Sequence, residues 1–292
     1  MSQGTSFSPR ALPGLAIPRP KKYNQKMAPT PWQLEVVKHS LKKKEKISLL
    51  QKLVRVSPRA RCLDLGCAQG MLSYFLRRQG GRWVHTDQDL TNLKTARDLM
   101  GGILVRVEPA RLPFRSAAFD LVAAPDYLEH IRDDKALLGE VARILKPGGR
   151  LLAVVPRTGA FFVLHKLRPA FGLKLDFYGH QREGYTVQAL AGKLRTAGLQ
   201  VTGFRTYSKF FSEFFELLLN ALYVRFFSPK KAEALRDGRI RPTTAGEFVS
   251  RKKEFGIYRL VYPGLWLLSQ LDRLLFFQKG YSLVLTAEKK PL

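Results

Sequence analysis

Cysteine is almost absent from this 292-residue chain: Cys62 and Cys67 are the only two, and there are five histidines. No Cys/His cluster has zinc spacing, so a disulfide framework and a structural zinc are both excluded and no metal site is expected. Acidic residues are also scarce, 23 against 50 Lys and Arg, which leaves a formal charge of +27. A field of that size implies an anionic partner, either a membrane surface or a nucleic acid. No stretch has the ~20 largely apolar residues of a membrane span. The N-terminus lacks the apolar segment of a secretory signal. Reduced thiols and no signal lead us to expect a cytoplasmic protein. Ser and Arg without acids before Glu35 leave an organellar targeting role open.

What the chain does have is apolar content sufficient for a sizeable core, 45% of residues. Residues 1–31 are rich in proline and without periodicity, an extended or disordered basic arm. Residues 32–60 carry a helical apolar pattern among lysines, and up to Arg61 the chain holds 14 Lys/Arg against 2 Glu. That pattern is expected to be one basic amphipathic helix lying on anionic lipid.

The chain is organised around Arg61–Gly70. A short apolar run reaches Asp64, a loop carries Gly66 and Gly70, and Met71 opens a helical pattern. Strand, tight loop and helix in that order form the opening unit of a nucleotide-binding α/β sheet. The dinucleotide spacing of three glycines fails here, because Ala68 and Met71 stand where glycines would be. A second strand, Arg82–Asp87, ends in an acid suited to a ribose, with Gln88 beside it; Asp89 is expected to cap the next helix.

The pattern Asp64-x-Gly66-x-Ala68-x-Gly70 resembles motif I of the class I S-adenosylmethionine-dependent methyltransferases. Four more motifs follow in order: Leu112-Pro113-Phe114, Phe119-Asp120-x-Val122, Leu128-Glu129-His130 and Leu145-Lys146-Pro147-Gly148-Gly149. With Gly179-His180-Gln181-Arg182, this succession resembles the broad ubiquinone- and menaquinone-biosynthesis-type group (methyltransferase type 11). The resemblance implies a Rossmann-like seven-stranded sheet with helices on both faces and S-adenosyl-L-methionine as cofactor. It implies a catalytic domain over residues 61–206 with 280–289, and a helical insertion at 207–279 before the last strand. It assigns Asp64, Gly66, Ala68 and Gly70 to the methionine moiety, Asp87 to the ribose, and Glu108 and Leu112 to the adenine, with Cys67, Gln88 and Pro109 also among the cofactor-binding residues. Pro109 departs from the pattern, since proline has no N–H to offer the adenine.

Methyl transfer from a sulfonium requires alignment, exclusion of water and, for a hydroxyl acceptor, a base. His130 is the candidate base, and Tyr127, His180 and Tyr185 are candidates for the acceptor side. The text after the fourth strand, Ala124-Pro125-Asp126-Tyr127, lacks the motif of enzymes that methylate exocyclic or amide nitrogens. Both cysteines lie too early for cytosine-5 chemistry on RNA. The insertion is rich in aromatics, with a thin polar stripe at Lys209, Glu213, Glu216 and Asn220 and a basic linker through Lys230, Lys231, Arg236, Arg239 and Arg241. We expect a peripheral enzyme on the membrane inner face that methylates a lipophilic hydroxyl on a quinone, isoprenoid, glycolipid or lipid-linked sugar. The alternatives are an RNA methyltransferase using the basic surface and a non-catalytic scaffold of the same fold.

Overall fold

The computed structural model describes residues 31–159, 162–173, 175–227, 246 and 252–290. The expected N-terminal arm, apart from its last residue, and the basic linker of the insertion lie outside the described residues.

Seven strands form one sheet in the order β3-β2-β1-β4-β5-β7-β6. They are β1 (Arg61–Leu65), β2 (Arg82–Asp87), β3 (Ile103–Arg106), β4 (Phe119–Pro125), β5 (Leu145–Pro156), β6 (Leu199–Tyr207) and β7 (Ser282–Lys289). The first five run parallel; β7 runs antiparallel to both neighbours. Strand order reverses between β1 and β4, so the carboxyl ends of these two strands frame a crevice. Lys146–Gly149 follows the end of the helix at Ile144 and forms an irregularity within β5. Phe119 pairs with Leu145 and Leu121 with Arg150, and the intervening residues bulge out of register.

Apolar residues cover both faces. On one, Leu63, Leu65, Val122, Leu151 and Leu285 pack against α5 (Asp134–Ile144) and α8 (Val187–Thr196). The other face receives Leu50 and Val54 from the N-terminal segment and Leu76 from α3 (Met71–Leu76). Asp89 caps α4 (Leu90–Met100), accepting from the backbone of Thr91 and Asn92, as expected.

The single N-terminal helix expected over 32–60 is two helices. They are α1 (Trp32–Lys38) and α2 (Leu41–Leu53), divided where Ser40 caps the second by accepting from the Lys43 amide. Three of its lysines have partners within the protein: Lys42 bonds Glu213, Lys46 bonds Asp126, and Lys44, itself exposed, bonds the Tyr262 hydroxyl.

The crossover after β5 carries α6 (Val163–Leu167) and α7 (Leu175–Tyr178). The insertion contributes α9 (Phe210–Phe227) and α10 (Lys252–Ser269). Its helices are inside out. Glu213 is buried, whereas Phe214, Leu218 and Leu222 line the exposed side of α9 at helical spacing. On α10 and the turn after it, Ile257, Leu260, Leu267, Leu274, Phe276 and Phe277 are exposed, Leu260 at 82% and Phe276 at 86%. Among the described residues, no helix is long and apolar enough to cross a membrane.

Candidate active site

A cleft of about 340 Å3 opens at the carboxyl ends of β1 and β4. Its floor is the glycine loop with Asp64, Gly66, Cys67 and Ala68; its far wall is Pro125 and Asp126; α1 and α2 roof it with Trp32, Val36 and Lys43. Gly66 has φ of +74°, and a Cβ there would lie 2.2 Å from the Tyr127 ring. The loop turns sharply, and its closeness to the ring leaves no room for a side chain. Gly70 serves packing instead. It starts α3 in the left-handed conformation, where a Cβ would stand 3.0 Å from Ala96 of α4, and it is absent from the cleft lining.

Asp64 is completely buried. One carboxylate oxygen accepts from Ser73 Oγ and lies 2.9 Å from His85 Nδ1; the other, Oδ1, has no partner among the described residues. An orphaned acceptor beside an open cleft fits the ammonium group of a bound amino acid. Lys43 lines the roof, its amine held below the ordinary lysine range by burial, and complements a carboxylate there. These two residues therefore fit the methionine end of S-adenosylmethionine. Asp87 follows at the end of β2, where it accepts from the Ala68 amide at 2.9 Å and the Asp89 amide at 2.9 Å. Burial raises its pKa. Gln88 Nε2 donates to the Tyr127 hydroxyl at 3.4 Å.

Other expected residues stand apart from the cleft lining. Leu112 is buried in the main core, and its amide donates to Glu140 at 2.7 Å. Glu108 and Arg111 bracket a tight turn, and Pro109 occupies the turn position proline favours, which accounts for its departure from the family pattern. Tyr127, expected on the acceptor side, is buried against the glycine loop. Tyr185 is corrected likewise: its hydroxyl donates to Asp134 at 2.8 Å deep in the core.

His130 and His180 do come together, with ring centroids 4.8 Å apart and edge to face. His130 Nδ1 lies 2.9 Å from the Gly179 carbonyl. Donation to that carbonyl fixes the tautomer and leaves Nε2 with a free lone pair. Burial lowers the pKa of His130, and burial beside His130 takes His180 down to about 3. Glu129 is buried next to them with Oε2 unpartnered among the described residues, its pKa raised well above the carboxylate range by burial and by Asp126. Ligand atoms of Glu129, His130 and His180 lie within 4.8 Å of one another, a group able to hold a metal ion that sequence spacing does not disclose.

Lys46 pairs with Asp126 of the far wall. Burial opposes its charge, but Asp126 more than offsets this and raises its pKa. Asp126 itself, at φ of +52°, is held below the usual range by Lys46 against the effect of burial. The lysines at 43 and 46 and the Asp126-x-x-Glu129-His130 run are the sequence signals for this wall. Patterning alone assigns neither to it, because a lysine-rich helix usually faces water.

Comparison with known proteins agrees with this geometry. Residues 63–153 match the family described as Methyltransferase domain. The ubiquinone biosynthesis O-methyltransferase of Xylella fastidiosa (strain 9a5c) is 38% identical over 151 residues, which cover 49% of this chain and 61% of that protein. The chain thus spans about three fifths of the length of the curated relatives it matches. A methyltransferase structure from Bacillus halodurans C-125 superposes with a TM-score of 0.56 at 17% identity, covering 84% of this chain and 98% of that one. Phosphoethanolamine N-methyltransferase 2 of Haemonchus contortus, in complex with S-adenosylmethionine, gives 0.51 at 16% identity, covering 84% and 52%. Residues 63–153 thus match a methyltransferase-domain family, and the sheet around them has the Rossmann-like fold of the methyltransferase structures it resembles.

Proposed function

We propose that the protein methylates a hydroxyl of a lipophilic, quinone-like acceptor while seated on the inner face of an anionic membrane. When bound, S-adenosylmethionine supplies an activated methyl group. Asp64 and Lys43 hold its amino-acid end, Asp87 its ribose, and α1 and α2 exclude water from the cleft. His130 Nε2 would take the proton of the acceptor hydroxyl, and the carbon–sulfur bond of the cofactor would break with its electron pair to sulfur, leaving S-adenosylhomocysteine as the oxygen bonds the methyl carbon. The acceptor class is taken from the relatives named as ubiquinone biosynthesis O-methyltransferases.

The observation that carries the membrane reading is the outward apolar line of α9 and α10, interspersed with the cations Arg259, Arg273 and Lys279. Exposed aromatics with basic neighbours suit the headgroup boundary of a bilayer. Co-sedimentation with vesicles containing phosphatidylserine tests it. The full chain is expected in the pellet, and the triple variant Leu260→Ser, Phe276→Ser, Phe277→Ser in the supernatant. Binding to RNA with a steep salt dependence and no vesicle partition would establish the RNA reading in its place. Lipid extracts from cells with and without the gene, compared for a mass difference of one methylene, would identify the acceptor.

A further inference from the structure

Beyond the carboxyl end of β5 lies a cluster of donors with too few acceptors. Arg157 Nε and Nη1 are buried with no hydrogen-bond partner among the described residues, and the guanidinium stacks over Phe162 at 5.0 Å. His165, whose side chain is only 7% exposed, tilts against the same ring at 6.1 Å; its Nδ1 likewise has no partner and its Nε2 lies 3.4 Å from Glu213. Lys42 and Arg168 also converge on Glu213. Among the described residues, one carboxylate therefore serves Lys42, Arg168 and His165, and Arg157 has none. Unsatisfied buried donors are costly and rare, and a cation among them more so.

Their position relates them to the cleft. The Asp126 amide donates to Val154 at 2.9 Å, and Arg157 is three residues further along the chain from Val154, ~10 Å at strand spacing. The segment that carries His180 spans the same gap: the Gln181 amide donates to Glu129, and the Tyr185 amide to Pro156. Arg157, His165 and His180 thus sit on one crossover, which leaves the sheet beside the strand end that carries Asp126.

We propose that Arg157 and His165 form an anion-binding subsite for a carboxylate or phosphate carried by the acceptor. Phe162 holds the guanidinium in place, and the anion supplies the acceptor atoms that the protein lacks. The subsite depends on the proposed reaction only for its assignment to the acceptor; anion binding itself does not require turnover.

The test uses the full chain loaded with S-adenosylhomocysteine and three dihydroxyphenyl probes sharing one alkyl tail. One bears a carboxylate, one a phosphate, and one is neutral. Calorimetry on the wild type is expected to show one anionic probe bound about tenfold to a hundredfold more tightly than the neutral one. Arg157→Gln is expected to abolish that preference without changing affinity for the neutral probe or for S-adenosylhomocysteine, and Arg157→Lys to retain part of it. Equal binding of all three by the wild type overturns the subsite, and does so even if the variants fail to fold. Equal weakening of all three by Arg157→Gln also overturns it. Inorganic phosphate bound as tightly as the phosphate probe removes the assignment to the acceptor. Anionic preference in calorimetry, with no methylated product when the same probes are incubated with the enzyme and S-adenosylmethionine, would sink the hydroxyl reading and leave the subsite standing.

Discussion

The ammonium of Lys46 and the carboxylate of Asp126 pair across the seam between α2 and the end of β4, at the wall of the cleft. Their environments differ: the Lys46 side chain is 10% exposed and that of Asp126 37%. Removing the aspartate strands a buried cation, whereas removing the lysine leaves an anion that water in the cleft can solvate. Asp126→Ala is therefore expected to cost about 3 kcal/mol. Lys46→Met should cost only about 1 kcal/mol, because solvent screens the remaining charge. Urea unfolding of both variants checks the order, and equal losses would contradict it.

Gly66 and Gly139 make a matched pair. Alanine at 66 must adopt a positive φ and enter the Tyr127 ring, so Gly66→Ala is expected to abolish S-adenosylhomocysteine binding. Gly139 lies within α5, and a methyl added there would meet nothing within 4 Å. Gly139→Ala is expected to stabilise the protein by about 0.5–1 kcal/mol with cofactor affinity unchanged. Calorimetry and thermal unfolding separate the two outcomes.

His130→Ala should lower kcat by about a hundredfold to ten-thousandfold while leaving cofactor affinity intact. The base must be neutral, and burial lowers its pKa from the ordinary 6.5. Activity should thus rise with pH below that value and be level through neutrality. A variant with wild-type turnover at pH 7 would remove His130 from the mechanism.

Acid stability follows from His180, half-buried and neutral with its pKa lowered to about 3 by burial and by His130. Between that value and 6.5 the unfolded chain binds the extra proton, so stability rises with pH across this window. Loss begins as pH falls below 6.5. His180→Phe is expected to flatten the slope in that window, as read from urea midpoints at a series of pH values.

Much of this architecture is legible in the chain itself, because local rules and tertiary contacts agree along β1, the glycine loop and α5. Asp64, Gly66 and Ala68 stand in the cleft since a strand that ends in a tight turn can put them nowhere else. Lys42, Lys43 and Lys46 escape sequence reasoning for the opposite cause: a lysine-rich helix looks solvated until the acids it meets, Asp126 and Glu213, are known from far along the chain. Glu129, His130 and His180 share no sequence spacing that would announce them as a group. Tyr127 and Tyr185 carry hydroxyls that suggest a polar role, yet each is mostly ring and is used to fill space.

Glu213 offers the clearest case of a polar stripe turned inward, and its charge sets a second acid limit. The carboxylate is 1% exposed and meets Lys42 at 3.0 Å, Ser208 Oγ at 2.9 Å, His165 and Arg168. Burial alone would raise its pKa, but Lys42, His165 and Arg168 reverse this and hold it well below the ordinary 4.5. A carboxylate so depressed contributes stability in full above pH 4.5, and that contribution is lost as pH falls through the folded-state value. Glu213→Gln preserves shape while stranding the cations, so it should destabilise the protein at neutral pH by about 2–4 kcal/mol. The difference from wild type should shrink only below pH 4.5, outside most of the window assigned to His180. Because Glu213 joins α2, the crossover and α9, the same variant should also loosen the roof of the cleft, seen as faster amide exchange at Lys42 and Lys43. A variant with wild-type stability at pH 7 would show that this cluster is solvated in solution and does not hold the insertion to the catalytic sheet.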